Sequence, residues 1–314
     1  LRVTDAHNGE ATTVFLVTVV PVNDPPTLDG IANVNLNEDA GLRTVNLTGL
    51  STGAANETET LTIATDNSNP ALLADIVVTY TFPNTSGTLS FRTVTNAYGN
   101  ATVTVRVNDG GSSNNLVQQT FTVAVQSVND LPTITALENQ IIDEDVPTGI
   151  LAFTVGDVET AAGSLIVTGS SSNPTLVPVG GMEFAGSGGS RTLVVRPATN
   201  QFGVATLTVK VADDDGSGSN NVATRSFTVT VNSVNDLPAI STVGNQNILE
   251  DTSTAAIPFT VGDVETAAEA LGVTATSSNP SVVPDAGLVL TGTGTNRAVT
   301  VTPAANQFGT ALIT

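Results

Sequence analysis

The feature that most narrows the folds open to this chain is an internal period. Val22-Asn23-Asp24-Pro25-Pro26 returns as Val128-Asn129-Asp130-Leu131-Pro132 and again as Val234-Asn235-Asp236-Leu237-Pro238, so Asp24, Asp130 and Asp236 stand 106 residues apart in both steps. A period of that length is a domain rather than a solenoid coil, because roughly 100 residues can bury a core of their own. Each copy follows an alternating apolar strand: Phe15-Leu-Val-Thr-Val, Phe121-Thr-Val-Ala-Val and Phe227-Thr-Val-Thr-Val. Proline halts sheet pairing and biases the preceding residue toward extended backbone, so each motif predicts a short, stiff link. The 314 residues then divide into the closing strands of one repeat (1–22), two complete repeats (23–128 and 129–234) and an incomplete third (235–314).

Within a repeat the dominant period is two. Ala205-Thr-Leu-Thr-Val-Lys-Val-Ala puts Leu207, Val209 and Val211 on one face and Thr206, Thr208 and Lys210 on the other, the mark of a half-buried strand. Thr192-Leu-Val-Val-Arg, Ser164-Leu-Ile-Val-Thr and Phe153-Thr-Val behave alike, and residues 1–22 predict two strands, Leu1-Arg-Val-Thr and Thr13 to Val20. About seven short strands per repeat, separated by Gly, Asn, Ser and Pro, predict an all-β chain of tandem Greek-key β-sandwiches. Asn69-Pro70, Asn173-Pro174 and Asn279-Pro280 are expected to turn into the next strand, and Gly186-Ser-Gly-Gly-Ser190 to form a hairpin tip. The aromatic of Asn96-Ala-Tyr98-Gly99, Asn200-Gln-Phe202-Gly203 and Asn306-Gln-Phe308-Gly309 is expected to plug the core at a strand corner.

Composition removes several functions. There is no cysteine, so disulfides, thiolate metal sites and thiol catalysis are excluded. A net charge of −20 disfavours nucleic acid and anionic membrane and suits a cation. The longest apolar run, Val14 to Val22, falls short of a membrane span. No initiator methionine or signal-like segment opens the chain, which suggests a piece of something longer.

The acids recur in step with the repeat. Glu38-Asp39, Glu144-Asp145 and Glu250-Asp251 each place the second acid 15 residues beyond the linker aspartate. Asp157-Val-Glu159 recurs as Asp263-Val-Glu265, and Asp5, Asp109 and Asp213 follow a strand, the last running into Asp214 and Asp215. Of the 11 acids in the second repeat only Glu138 and Glu183 lie outside the linker and these stations, whereas a merely solvated surface would scatter them. Carboxylates gathered at strand ends repel one another unless a cation sits between them. Hard oxygen donors with no His or Cys beside them point to calcium.

These residues resemble the cadherin-like tandem repeats of large bacterial surface and secreted proteins and, more distantly, cadherin ectodomains. The resemblance covers essentially the whole chain and rests on Val-Asn-Asp-x-Pro, the Glu-Asp pair, Gly-Asp-Val-Glu-Thr and the loop at Asp213. It implies calcium at each junction. The glutamate would come from the repeat before the linker, and the Asp-x-Glu and strand-end aspartate from the repeat after it. On that basis the ligands at Asp130 would be Glu38, Asn129, Asp130, Asp157, Glu159 and Asp213, and those at Asp236 would be Glu144, Asn235, Asp236, Asp263 and Glu265. The first repeat departs from the pattern, reading Leu50-Ser-Thr-Gly-Ala-Ala-Asn-Glu57-Thr-Glu59, so a site at Asp24 with Asp109 needs Glu57 or Glu59 as a substitute. Cadherins also carry a mid-domain acidic motif where this chain has Asn-Gln-Phe-Gly, which implies fewer ions per junction.

No catalytic residue is expected. His7 is a lone loop histidine, carboxylate pairs copied once per repeat suit structure better than hydrolysis, and Asp213-Asp-Asp-Gly216 lacks the closing glutamate of an EF-hand, having Thr224 there. The function expected is an extracellular, calcium-stiffened stalk or spacer of an adhesin-like surface protein, its partners being neighbouring repeats. An extracellular-type site (Kd about 10⁻⁴ M) in about 10 mM calcium would add roughly 2.7 kcal/mol to a junction, enough to hold a joint. A glycan- or protein-binding module is one rival; sparse aromatics count against it. A self-assembling fibre is the other. Gly309-Thr-Ala-Leu-Ile-Thr314 followed by Leu1-Arg-Val-Thr-Asp5 matches Gly203 to Asp213 position for position, so one chain's first strands could complete a neighbour's last sandwich or a longer array could be divided there.

Overall fold

A computed structural model describes residues 1–213 and 220–314; Asp214, Asp215 and Gly216 of the acidic run lie outside the described residues. The chain forms two compact units, Leu1–Asp130 and Leu131–Thr314, and the boundary falls within the second linker motif.

The first unit opens with a small hairpin, β1 (Arg2–Thr4) and β2 (Glu10–Thr12), and continues with β3 (Val34–Asn37), β4 (Leu42–Thr48), β5 (Thr62–Asn67), β6 (Leu73–Thr79), β7 (Ser86–Thr93), β8 (Gly99–Asn108) and β9 (Leu116–Gln126). One sheet has the order β3-β9-β8-β5 and the other β4-β7-β6. The alternate valines of β8 (Val103, Val105, Val107) and the Phe121-Val123 side of β9 meet Leu47, Leu89 and Phe91 from the second sheet in one buried cluster. This two-sheet core is what alternating β-branched strands predict.

The second unit contains β10 (Thr133–Ile134), β11 (Gln140–Asp143), β12 (Leu151–Gly156), β13 (Ile166–Ser171), β14 (Met182–Ser187), β15 (Ser190–Val195), β16 (Gly203–Ala212) and β17 (Val222–Asn232), then β18 (Ala239–Ile240), β19 (Ile257–Gly262), β20 (Leu288–Thr293) and β21 (Asn296–Val301). The sheets β11-β17-β16-β13 and β10-β12-β15-β14 enclose Phe153, Leu193, Leu207, Val209, Val211 and Phe227. Gly188 and Gly189 turn the β14–β15 hairpin, with Gly188 at φ +58°, where a side chain would be strained. The chain is therefore all-β and built of β-sandwich sheets.

The sheet β18-β19-β21-β20 holds a smaller core of Phe259, Val261 and Val299. Its inner face lines a cavity of about 660 Å³ walled by Phe259, Val299, Phe308 and Leu312 among others. Thr276 and Thr314 exchange backbone hydrogen bonds, a register equivalent to that between β13 and β16 one period earlier.

Two sequence expectations are overturned. The strand expected over Thr13 to Val20 is not formed: backbone pairing ends at Thr13, which exchanges hydrogen bonds with Leu1, and Val14 to Val20 are exposed with no strand or sheet against them among the described residues. The aromatics of the Asn-x-aromatic-Gly turns are not core plugs. Tyr98 and Phe202 are about half exposed (50% and 47%) and Phe308 more so. What those turns share instead is left-handed backbone at Asn96, Asn200 and Asn306, with φ of 56°, 54° and 53°.

Candidate metal centre

The parallel pairs of the two large sheets explain why a glutamate waits beside each linker. β11 runs parallel to β17, with Asp143 opposite Asn232, so both strands end side by side. Glu144, the next residue, donates its N–H to Asn232 O. Its Oε1 accepts the Val234 N–H at 2.7 Å, and its side chain is buried, only 5% exposed. β3 and β9 repeat this arrangement: Asn37 is opposite Gln126, and Glu38, equally buried, accepts the Val128 N–H at 2.7 Å. An antiparallel pairing would have sent Glu144 to the opposite end of the sheet.

The short strand after the linker supplies the other side of the Asp236 site. β18 pairs with β19 so that Ala239 lies opposite Gly262, and this register sets Asp263, the residue after Gly262, next to the linker. Asp263 Oδ1 accepts the N–H groups of Glu265 (3.2 Å) and Thr266 (2.7 Å), folding Asp263-Val-Glu265 into a tight turn. Glu265 Oε2 then accepts the Asp236 N–H at 2.9 Å, and Asn235 Nδ2 donates to Asp236 O at 2.7 Å.

The result is a trio. Carboxylate oxygens of Glu144, Asp236 and Glu265 all lie within 4.8 Å of one another, the only such group of acids, histidines and cysteines among the described residues. Glu144 Oε2, Asp236 Oδ2 and Glu265 Oε1 are buried with no hydrogen-bond partner among the described residues. Burial, and after it the charges of Glu265, Asp145 and Asp263, push the Asp236 carboxyl above the usual range. Unpartnered carboxylate oxygens turned toward one another are costly unless a cation neutralises them. Two ligands of one calcium ion, each about 2.3–2.6 Å from it, stand at most about 5 Å apart, so the donor type and the spacing both fit that ion.

The second acid of each Glu-Asp pair has a different role. Asp39, Asp145 and Asp251 adopt φ of 56°, 61° and 58°. Their Oδ1 atoms accept the N–H of Asn96 (3.2 Å), Asn200 (3.0 Å) and Asn306 (2.7 Å) respectively. Each aspartate thus latches the Asn-x-aromatic-Gly turn. The signal was present in the sequence as an asparagine at every copy of that turn, since Asn tolerates left-handed backbone best after Gly.

The acids around Asp24 assemble differently. Asn23 Nδ2 donates to Asp109 Oδ2 at 3.2 Å, and Asp109 is buried with Oδ1 accepting the Gly111 N–H. A Cβ at Gly111 would lie 2.3 Å from Asn23 Oδ1, so a larger residue there would displace the Asn23 amide from Asp109. Glu57 Oε1 accepts the Asp24 N–H, the place Glu265 takes at Asp236, while Glu59 turns to the Thr58 N–H instead. Thr27 bridges Ser51 as Ala239 pairs with Gly262, so the residue standing where Asp263 stands is Thr52. The first unit therefore keeps the glutamate and loses the aspartate.

Of the remaining candidates, Asn129 Nδ2 donates to Asp130 O within the first unit, and Glu38 Oε2 is buried without a hydrogen-bond partner among the described residues. Within the second unit Asp157 Oδ1 accepts the N–H groups of Glu159 and Thr160, reproducing the Asp263 turn, and Asp213 is buried with its N–H on Asn221 O.

No protein-family model matches the chain, and no curated protein matches it. Solved structures similar to it include the titin domains Z1Z2 in complex with telethonin (12% identity over 68% of this chain and 100% of that one, TM-score 0.33). Human desmocollin-1 ectodomain (12% identity, 93% and 55%, TM-score 0.39) and the protocadherin gammaB7 EC3-6 cis-dimer (17% identity, 88% and 65%, TM-score 0.42) are others. At these levels the likenesses carry no weight of their own; the fold rests on the chain's sheets and the chemistry on the geometry of Glu144, Asp236 and Glu265.

Proposed function

We propose that this chain is an extracellular, non-enzymatic array of β-sandwich repeats (23–128, 129–234 and 235–314, with residues 1–22 closing a preceding repeat). Calcium stiffens it, and it serves as a stalk or spacer of an adhesin-like surface protein. The observation that carries this reading is the trio Glu144, Asp236 and Glu265, with one buried, unpartnered oxygen on each. The protein would bind calcium there through those oxygens, with Asp263 and Asn235 holding the linker and turn in place. Catalysis has no support in the arrangement, since its acids sit at a chain junction. For Glu38, Asn129, Asp130, Asp157, Glu159 and Asp213 the calcium assignment rests on the 106-residue register, and for Asp24 and Asp109 on Glu57 as substitute. Among the described residues no helix is long and apolar enough to cross a membrane.

Calorimetric titration of the full chain with calcium, beside Asp236→Asn, tests the reading. It expects one binding component to vanish in the variant, and identical isotherms would sink it.

A second reading, association between copies, is favoured by the open cavity on the sheet of β18 to β21, whose walls include Phe259, Val299, Phe308 and Leu312, and by exposed Phe15, Val17 and Val19. Arg2 pairs with Thr12 as Lys210 pairs with Thr224, and Phe15, Val17 and Val19 match Phe227, Val229 and Val231, which are buried in their own sandwich. Concentration-dependent sedimentation that Val17→Asp abolishes would support this, and a monomer at every concentration would remove it.

A further inference from the structure

Arginine is scarce in this acidic chain, yet four of its eight arginines make no ion pair among the described residues, and two of these four reach backbone carbonyls of a loop instead. Arg297 on β21 stands opposite Phe259, and its Nη2 donates to Ala268 O at 2.9 Å and Leu271 O at 3.5 Å, while Nη1 donates to Gly292 O at 3.1 Å. Arg191 on β15 stands opposite Phe153, one period earlier, and its Nη2 donates to Ala162 O at 3.0 Å. Both guanidinium groups therefore reach over the far end of the loop that starts with Asp-Val-Glu. A planar fork that takes Ala268 O and Leu271 O of the loop together with Gly292 O of β20 ties the loop to the sheet more tightly than a single ammonium could.

The first unit shows what accompanies its absence. Leu47 there takes the register place of Phe153, and the residue opposite it is Gly87. A Cβ on Gly87 would lie 3.0 Å from Thr79 O and 3.3 Å from Tyr80 Cβ, so any side chain there, an arginine included, would have to push these neighbours back by a few tenths of an ångström. The loop after β4 is longer, lacks the aspartate and is closed by its own glutamate, with Glu57 accepting the Ala54 N–H. Arginine, short loop and Asp-x-Glu thus occur together in the second unit and are missing together in the first.

We propose that Arg297 is a positioning residue for calcium at Asp236: by holding Ala268 O and Leu271 O it presets the Asp263–Leu271 loop and so aims Glu265 at the site. This rests on the calcium reading above. The sign of its effect separates positioning from charge. A guanidinium acting only as a positive charge near a cation site would weaken calcium binding, so its removal would tighten it. A guanidinium that presets a ligand does the opposite, and residues holding metal ligands in place are typically worth about 10–100-fold in affinity.

The experiment is a calcium titration of the full chain and of Arg297→Gln, Arg297→Lys, Glu265→Gln and the double variant Arg297→Gln/Glu265→Gln. The component lost in Asp236→Asn identifies the site. Arg297→Gln is expected to lower that component's affinity about tenfold or more, with Arg297→Lys recovering only part. In the Glu265→Gln background the second substitution should change nothing further, while far-UV circular dichroism in chelator stays unchanged in every variant. If the parent chain takes up no calcium, the underlying reading falls. If it does and Arg297→Gln binds equally or more tightly, the positioning role falls. An undiminished effect of Arg297→Gln in the Glu265→Gln background, or a loss of β signal, would assign the arginine to general stability and overturn it likewise.

Discussion

The linker motifs at Asp24 and Asp236 are nearly the same in sequence and differ in what they gather. At Asp236 a buried glutamate from one strand end, the linker aspartate and a glutamate from the next loop bring their oxygens within 4.8 Å. At Asp24 the loop glutamate still accepts the linker N–H, but Thr52 stands where the turn-forming aspartate would be, and Asp109 is spent on Asn23 and Gly111. The acids contributed by flanking elements, and the loop that aims them, decide how much negative charge one cation can neutralise.

Removing the linker aspartates breaks the comparison most directly. Asp236→Ala should abolish the calcium-dependent part of stability in the second unit, about 2.7 kcal/mol when calcium exceeds Kd about 100-fold, whereas Asp24→Ala should lose only a small fraction of that. Urea unfolding with calcium and with chelator measures both, and equal losses would erase the distinction.

Next in size is the response to pH, which should change sign with calcium. The Asp236 carboxyl in the folded chain lies above its ordinary value, so the folded state holds more protons than the unfolded one, and without calcium this group costs stability at neutral pH. Lowering the pH through that raised value should relieve the cost and raise the urea midpoint in chelator. In calcium the proton competes with the ion, so the same acidification should lower the midpoint. Parallel slopes in the two conditions would contradict a shared site.

Asp145→Ala should cost about 1–2 kcal/mol in either condition, through loss of its hydrogen bond to the Asn200 N–H, and Asp39→Ala a similar amount in the first unit. An effect of Asp145→Ala confined to calcium would instead make that residue a ligand.

The smallest effect is expected from repairing the weaker site. Thr52→Asp returns the missing acid but leaves a longer loop with Gly87 in place of an arginine, so calcium affinity there should rise less than tenfold. A full recovery would mean that the aspartate alone makes the difference.

How far the sequence could be followed depended on whether a signal was local. Strand alternation is local, so Val103, Val105 and Val107, and their counterparts Leu207, Val209 and Val211, are buried as their period demands. The recurrence of the acids in register pointed to a cation, while the grouping of Glu144 with Asp236 and Glu265 was implied by the resemblance to cadherin-like repeats. Glu57 was legible as one of two possible substitutes, and only the hydrogen bond to Asp24 separates it from Glu59. The exposure of Tyr98 and Phe202 could not be foreseen, since an aromatic beside a strand has the same pattern whether it faces the core or the solvent.

By itself, then, the sequence determined the all-β class, the 106-residue period and the oxygen-only character of the recurring acids, because alternation, proline placement and donor type are properties of residues in order. The tertiary structure decided which acids meet. Parallel pairing of β11 with β17 carries Glu144 to the linker, the two-residue β18 registers Asp263 beside it, and Asp145 is drawn away to Asn200. Strand direction and sheet register are relations between distant segments, and no single stretch of sequence contains them.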